Sequence, residues 1–277
     1  MGDAARIRRR ADMTGKVAVL IGAGSDIGVA LALQAARLGM KVALADTDRG
    51  RLAAADKKVR ARNVETLALD IGQCDLASLR ELAQRTETGL GAPWLVCNIA
   101  GPTVDEKLWG VVNGVQVFAP GLARRGRGHV VNIASGDLVH LRAAAVDVAV
   151  SHAIIGLSES LYRMFDAIRS PVGVTVACPK PNNMNLVSAA RDNNPDMILV
   201  RDSSLGILPP KELAEQIFVA VERRDFWVCG QVPQMSETTR GFSRDLARDR
   251  VRPRKKTAMG LYSEEHYTFA APKRVTH

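Results

Sequence analysis

Short apolar runs alternate with amphipathic stretches through most of this chain, and this alternation restricts its fold more than any other feature. The runs are almost wholly apolar, as strands covered on both faces by helices must be. The stretches between them repeat apolar residues at a spacing of three or four, which predicts helices. The sequence therefore predicts a single-domain Rossmann fold of the α/β class, a doubly wound parallel sheet with helices on both faces.

The alternation predicts seven strands and six helices. The strands cover Lys16–Ile21, Lys41–Ala45, Glu65–Leu69, Trp94–Asn98, His129–Ile133, Val172–Ala177 and Phe226–Cys229. The helices cover Ile27–Leu38, Arg49–Ala61, Leu76–Thr86, Glu106–Arg124, Ala149–Arg169 and Pro210–Arg223. We expect the Rossmann domain at residues 14–239, with a basic extension at 1–13 and a basic tail at 240–277.

Composition narrows the class of protein further. Aromatic residues make up only 4% of the chain, so the core must be built from Ala, Val, Leu and Ile. The cysteines form no Cys-x-x-Cys pair and have no His pair at ligand spacing, so we expect reduced thiols and no metal site. The four are Cys74, Cys97, Cys178 and Cys229.

The net charge of +9 is concentrated at the two ends of the chain. Residues 1–16 supply +3 and residues 240–277 supply +6, so the middle is neutral. The basic segments lack stacking aromatics beside their charges, which favours solvated extensions or arms on a sister subunit over nucleic-acid binding. No signal peptide and no membrane-spanning apolar run is visible, so we expect a cytoplasmic protein without a membrane partner.

A glycine-rich turn follows the first predicted strand and opens the first helix. It reads Gly22-Ala23-Gly24-Ser25-Asp26-Ile27-Gly28. Such a turn lets the backbone approach a pyrophosphate, which the helix N-terminus then stabilises. Asp46 ends the second strand, where a carboxylate holds the ribose 2′-hydroxyl of NAD and repels the 2′-phosphate of NADP. We therefore expect NAD in preference to NADP, bound weakly because Asp26 brings a carboxylate near the pyrophosphate.

With these motifs the chain resembles the short-chain dehydrogenase/reductase family, and the resemblance extends over roughly residues 14–232. Gly22 and Gly28 match the family's glycine pattern, with Asp26 at its middle glycine, and Leu69-Asp70-Ile71 matches the segment beside the adenine. Asn98-Ile99-Ala100-Gly101 resembles its Asn-Asn-Ala-Gly motif, and Gly128–Ser135 resembles the strand that ends in its catalytic serine. The resemblance implies a dinucleotide site made of Gly22, Ser25, Asp26, Ile27, Gly28, Asp46, Asp70, Ile71, Asn98 and Gly101.

The family's catalytic tetrad of Asn, Ser, Tyr and Lys survives here only at Ser135. Aligning on the run His152–Leu157 places Asp147 at the Tyr position and Ser151 at the Lys position. Counting forward from Ser135 gives Val148 and His152 instead. We prefer the first alignment, because a helix tolerates insertions worse than the loop before it. Neither alignment restores a phenol or an ammonium on this helix.

The tetrad Asn and its neighbourhood are also altered. Leu108-Trp109-Gly110 resembles the segment after that Asn, which places Lys107 at its position, whereas Asn113 lies too close to Ser135. The loop between Gly101 and Lys107 is shorter than the family's by roughly a dozen residues, judged from the resemblance. Pro179-Lys180 replaces a Pro-Gly pair, and Met184 takes the place of the Thr that contacts the carboxamide. The adenine half of the site is thus retained and the nicotinamide half is lost.

Two interpretations follow from this pattern. The favoured one is an NAD-binding protein without redox activity, either a non-catalytic subunit beside an active homologue or a sensor of a small-molecule ligand. The alternative is an NAD-dependent oxidoreductase, or a non-redox enzyme derived from one, that acts on an alcohol or carbonyl substrate with Ser135 and a substitute acid such as Asp147. His140 or His152 could also supply the acid. The plainer interpretations are a helix-start cap for Asp147, a loop residue for His140 and a packing residue for His152.

The resemblance also predicts assembly. The predicted helices Glu106–Arg124 and Ala149–Arg169 correspond to the pair that this family buries between subunits. We expect a homo-oligomer, or a hetero-oligomer with an active homologue, and the sequence does not distinguish the two.

Overall fold

The structure is a computed structural model that describes residues 13–72, 74–99, 101, 103–134, 145–179 and 209–229. Seven strands and six helices lie in these ranges. The strands are β1 (Val17–Ile21), β2 (Lys41–Asp46), β3 (Thr66–Asp70), β4 (Pro93–Ile99), β5 (His129–Ile133), β6 (Gly173–Cys178) and β7 (Trp227–Cys229). The helices are α1 (Asp26–Arg37), α2 (Arg49–Arg60), α3 (Leu76–Gly89), α4 (Val104–Arg125), α5 (Ala145–Ala167) and α6 (Pro210–Arg223).

All seven strands form one parallel sheet, in the order β3-β2-β1-β4-β5-β6-β7. The chain runs outward from β1 to β3 and then returns to the other side of β1 with β4. The strand order therefore reverses between β1 and β4, and a sheet of this kind binds ligands in the crevice beyond the carboxyl ends of the strands at that point. This topology confirms the predicted α/β Rossmann class.

Two groups of helices cover the sheet. The helix α1 packs against α2 and α6, while α4 packs against both α3 and α5. The strands β1, β5 and β6 are buried along their whole length, which explains why they lack polar alternation. The core is mainly aliphatic, with Phe165 and Phe218 its largest fully buried side chains, in line with the scarcity of aromatics.

The helices begin where polar side chains can accept from free backbone N–H groups. Asp48 caps α2 and Asp75 caps α3, each accepting from the N–H three residues later. The helix α5 begins at Ala145, four residues before the predicted start, which places Asp147 inside its first turn. A carboxylate there is stabilised by the positive end of the helix dipole, so the earlier start is physically sound.

Several predicted features lie outside the described residues. These are residues 1–12 of the basic extension, the tail from residue 240, and the residues Lys180, Met184, Ser135 and His140. The domain boundaries at residues 13 and 239 therefore stay predictions. No helix in the described ranges is long and apolar enough to cross a membrane.

Candidate active site

The glycine-rich turn joins β1 to α1 at the reversal of the strand order. Gly22 has a φ of +85°, and a side chain there would come within 2.9 Å of the Ile99 carbonyl oxygen. A side chain at Gly28 would lie 2.2 Å from the Gly22 oxygen. Only glycine allows strand, turn and helix to approach this closely. The turn therefore joins strand and helix through glycines, as the sequence predicted.

The first turn of α1 offers N–H donors to a ligand. Ser25 caps the helix, since its hydroxyl donates to the Gly22 oxygen at 2.8 Å and accepts from the Gly28 N–H at 3.0 Å. The N–H groups of Asp26 and Ile27 have no acceptor among the residues that the structure describes. Free donors at a helix N-terminus suit a pyrophosphate. The exposed carboxylate of Asp26 stands in the same turn and opposes that anion.

Asp46 lies at the end of β2 and closes one side of the crevice. Its Oδ2 accepts from the Gly24 N–H at 2.7 Å, and its Oδ1 accepts from the Asp48 N–H at 2.9 Å. These bonds fix the carboxylate beside the glycine turn, where the sequence placed the ribose contact. Carboxylate oxygens accept more than one hydrogen bond, so a ribose hydroxyl can still donate to Asp46.

Asp70 and Ile71 follow β3, the outermost strand on this side. Asp70 accepts from the Gly72 N–H at 2.9 Å and from the Arg49 guanidinium. The Gly72 bond, together with Arg49, lowers the pKa of the Asp70 carboxyl below its usual range. Ile71 is buried, and its N–H donates to the Asp46 carbonyl at 3.1 Å. The two residues thus connect the end of β3 to Asp46.

Asn98 differs from the other predicted cofactor residues, because its side chain is fully buried in the core. Its Nδ2 donates to Asn132 Oδ1 at 2.8 Å, and Asn132 Nδ2 donates to the Ser158 hydroxyl at 2.9 Å. Gly114 of α4 packs so close that a side chain there would sit 2.0 Å from Asn98 Oδ1. The Asn98 side chain therefore ties β4 to β5 and α4 and does not line the crevice.

An ion pair joins α4 to α5 at the carboxyl edge of the sheet. Lys107 Nζ lies 2.5 Å from Asp147 Oδ1, with 24% of the lysine side chain and 36% of the aspartate side chain exposed. Their helices begin just beyond β4 and β5, which are neighbours with Asn98 opposite Asn132. The residues that the preferred alignment predicts at the family's Asn and Tyr positions thus contact each other.

The alternative catalytic candidates are placed differently. The Ser151 hydroxyl is buried and donates to the Asp147 carbonyl at 2.8 Å, so its hydrogen bond is made within its own helix. His152 is exposed, which does not fit its interpretation as a packing residue. Asn113 donates to the Cys74 carbonyl at 2.8 Å and so holds the loop before α3. Ser135 directly follows Ala134, the last described residue after β5.

Sequence reasoning did not assign a function to Lys107 or Glu106. In the alignment Lys107 only replaces an asparagine, and the missing Tyr and Lys belong to a different helix, α5. The sequence feature that could have predicted the ion pair is the opposite charge of Lys107 and Asp147, which both align with tetrad positions. Glu106 accepts from the Thr47 hydroxyl at 3.3 Å, a contact between residues 59 positions apart that no local pattern predicts.

Comparisons with known proteins agree with this geometry. The short chain dehydrogenase family profile matches residues 16–195. The chain is 31% identical over 182 residues to the oxidoreductase named SadH of Mycobacterium tuberculosis, a match that covers 60% of this chain and 66% of SadH. It is also 31% identical over 182 residues to the 1-deoxy-11-beta-hydroxypentalenate dehydrogenase of Streptomyces avermitilis, covering 58% of this chain and 67% of that enzyme. The chain thus spans about two thirds of the length of these relatives.

A solved structure resembles the chain over more of its length. A short chain dehydrogenase/reductase from Burkholderia phymatum, crystallised in complex with NAD, has a TM-score of 0.68 and 26% sequence identity. The match covers 89% of this chain and 99% of that protein.

Proposed function

Because this chain belongs to the short-chain dehydrogenase/reductase family, we propose that it is an NAD-dependent oxidoreductase acting on an alcohol or the corresponding carbonyl compound. The ion pair between Lys107 and Asp147 is the observation that carries this proposal. It supplies a proton-bearing group at the two aligned positions where the family's Asn and Tyr are missing. The interpretation without redox activity, which the sequence favoured, rested on the absence of such a group.

The crevice has the features that a dinucleotide needs. The free N–H groups of Asp26 and Ile27 after the tight glycine turn suit the pyrophosphate, and Asp46 suits the adenosine ribose. A bound nicotinamide dinucleotide supplies or accepts the hydride. We propose NAD over NADP because the two arginines that follow Asp46 at the start of α2 pair with other carboxylates. Arg49 pairs with Asp70, and Arg51 pairs with Asp48 at 3.4 Å.

Lys107 is the residue that we assign to proton transfer. In the reducing direction, its Nζ donates a proton to the carbonyl oxygen as that oxygen gains negative charge. In the oxidising direction the same proton transfer runs in reverse, from the substrate hydroxyl to the Lys107 side chain. Lysine and tyrosine side chains are acids of similar strength in water, so an ammonium can do the work of the missing phenol. Asp147 holds the ammonium in place from the neighbouring helix, and Ser135 offers a further hydrogen bond to the substrate oxygen.

An NAD-binding protein without turnover stays the second candidate. The buried Ser151 hydroxyl at the family's Lys position favours it, because that position no longer offers an ammonium to the nicotinamide ribose. A subunit of this kind would bind NAD and act beside an active homologue or sense a ligand.

Assembly through α4 and α5 is also part of the proposal. Trp109 on α4 exposes 55% of its surface and Val146 on α5 exposes 52%, so both of these helices present a large apolar side chain to a partner. A second copy of this chain, or a homologue, would cover them.

A substrate panel tests the proposed activity. Purified protein is assayed with NAD⁺ and a set of secondary alcohols, and with NADH and the corresponding ketones and aldehydes, at the NADH absorbance band. Turnover of at least one pair supports the oxidoreductase. Tight NAD binding by calorimetry without turnover of any pair would favour the second candidate, and no NAD binding would contradict both.

A further inference from the structure

Glu106 crosses the mouth of the crevice between two strands that do not touch each other. Thr47 follows β2, whereas Gly101 and Glu106 follow β4, and β1 lies between those strands in the sheet. Glu106 Oε1 nevertheless accepts from the Thr47 hydroxyl at 3.3 Å. The side chain therefore passes over the carboxyl end of β1, where the glycine turn opens.

The short connection after β4 is what brings Glu106 to this place. Thr103 caps α4 only two residues after Gly101, and Glu106 completes a capping box with it. Glu106 Oε2 accepts from the Thr103 hydroxyl at 2.8 Å and from its N–H at 3.2 Å. A side chain at Gly101 would lie 2.5 Å from Glu106 Cβ, so glycine is required for this close approach. Bonds from two elements thus fix the carboxylate.

Asp46 and Glu106 place two carboxylates at the carboxyl end of β2, where the ribose contact is proposed. Thr47 directly follows Asp46, so its hydroxyl brings the Glu106 carboxylate to the same strand end. Burial, together with the nearby carboxylates of Glu106, Asp46 and Asp75, raises the pKa of the Cys74 thiol to about 11, so both Glu106 and Asp46 are within electrostatic reach of this thiol. Both nearby arginines already have carboxylate partners, Asp70 for Arg49 and Asp48 for Arg51. The negative field at this end is therefore not neutralised.

Resting on the NAD binding proposed above, we propose that Glu106 is a specificity-determining residue that, together with Asp46, excludes the 2′-phosphate of NADP. A phosphate beside two fixed carboxylates meets like-charge repulsion from both, whereas a ribose hydroxyl can donate to either. Asp46 alone would leave one side of the ribose open to a phosphate. The capping box makes the second charge a fixed part of the fold, so it does not depend on a flexible side chain.

Calorimetric titration with NAD⁺ and with NADP⁺ tests this inference on three proteins: the native chain, Glu106→Gln and Asp105→Asn. Glutamine keeps one oxygen, which can still accept from the Thr103 N–H and hydroxyl, and its amide NH2 can donate to the Thr47 hydroxyl in place of the bond that Glu106 accepts. The charge is removed while the shape and the capping box are retained. Asp105→Asn makes the same change in net charge at the adjacent exposed residue, which is the matched control. We expect Glu106→Gln to tighten NADP⁺ binding by about tenfold or more, to change NAD⁺ binding by less than about threefold, and the control to resemble the native chain.

The outcomes separate this inference from the proposed function. If the native chain binds NAD⁺ but Glu106→Gln gains no affinity for NADP⁺, the inference is overturned and the proposed function stands. An equal gain in Asp105→Asn would also overturn it, because the effect would then come from net charge. If neither the native chain nor Glu106→Gln binds either nucleotide, the proposed function is contradicted, and so is the inference that rests on it. Unchanged unfolding temperatures check that the variants are folded.

Discussion

The ammonium of Lys107 on α4 lies 2.5 Å from the carboxylate of Asp147 on α5. The two residues are 40 positions apart in sequence, and each stands where the resemblance expects an uncharged member of the catalytic tetrad. Either substitution alone would leave one charge without its partner. The two substitutions therefore compensate each other, because each charge has its partner on the neighbouring helix.

The stability of the pair can be measured with a double-mutant cycle. Lys107→Met, Asp147→Asn and the double variant are compared with the native chain by urea unfolding. We expect a coupling energy of about 0.5–1 kcal/mol, because both side chains are partly exposed and solvent screens their attraction. The coupling should shrink in high salt. A coupling of zero at low salt would show that the two side chains do not interact in solution.

The buried thiols of Cys74 and Cys97 should make the free energy of unfolding depend on pH in the alkaline range. Burial, assisted by the carboxylates of Glu106, Asp46 and Asp75, raises the pKa of Cys74 to about 11, and burial also raises the pKa of Cys97. The folded chain therefore keeps these protons at a pH where the unfolded chain has lost them, above about 8.5. The free energy of unfolding should fall as the pH rises from about 8.5 to 10.5. Urea unfolding at several pH values measures it, and a rise over this range would contradict the assignment.

The reactivity of Cys74 offers a second readout of the same field. At pH 8, we expect iodoacetamide to label Cys74 in the folded chain at least about tenfold more slowly than in urea, as followed by peptide mass spectrometry. Glu106→Gln should speed the labelling, since one of the charges that raise the thiol pKa is gone. Equal rates in the two folded proteins would show that Glu106 is not close to the thiol.

Gly114 should be intolerant of any side chain. Gly114→Ala would place a methyl group 2.0 Å from the buried Asn98 Oδ1, so we expect a loss of about 2 kcal/mol or more in the free energy of unfolding. Gly121→Ala on the same helix meets only the flexible guanidinium of Arg125 at 3.4 Å. That control should be neutral or stabilising by up to about 1 kcal/mol. Equal effects of the two changes would mean that α4 does not pack on Asn98 as described.

The exposed indole of Trp109 bears on assembly. If α4 and α5 meet a partner, Trp109→Glu should weaken self-association by about tenfold or more in light scattering across a concentration series. Val219→Glu adds the same charge at an exposed apolar residue of α6, and it should leave the association unchanged. A native chain that is monomeric at micromolar concentration would contradict the prediction for self-assembly.

The sequence predicted the strands and helices well, because each element has a clear period and most ends carry a turn or cap signal. The predicted start of α5, Ala149, lies four residues after the observed start, because the alanine-rich segment before Ala149 has no helical period of its own. The glycine turn and Asp46 could be predicted because strand ends and turns are local features. The side-chain direction of Asn98 could not, because the last residues of a strand do not reveal which side faces the core.

The contacts that define the site lie beyond what local patterns can predict. Lys107 with Asp147 and Thr47 with Glu106 each join residues 40 or more positions apart. Both contacts depend on how soon α4 begins after β4, which is a matter of loop length. The resemblance revealed that the loop is short, but only the folded chain shows which side chains the shortening brings together.

The rate of NADH formation or consumption by Lys107→Arg, compared with the native chain on the best substrate of the panel, tests the central claim most directly. Arginine keeps the positive charge and the ion pair with Asp147, but it does not release a proton in the accessible pH range. We predict that the native chain turns over and that Lys107→Arg loses about 10²-fold or more of the rate, with NAD⁺ affinity and unfolding temperature unchanged. Native-like turnover by Lys107→Arg, or no turnover by the native chain on any substrate, would contradict the account.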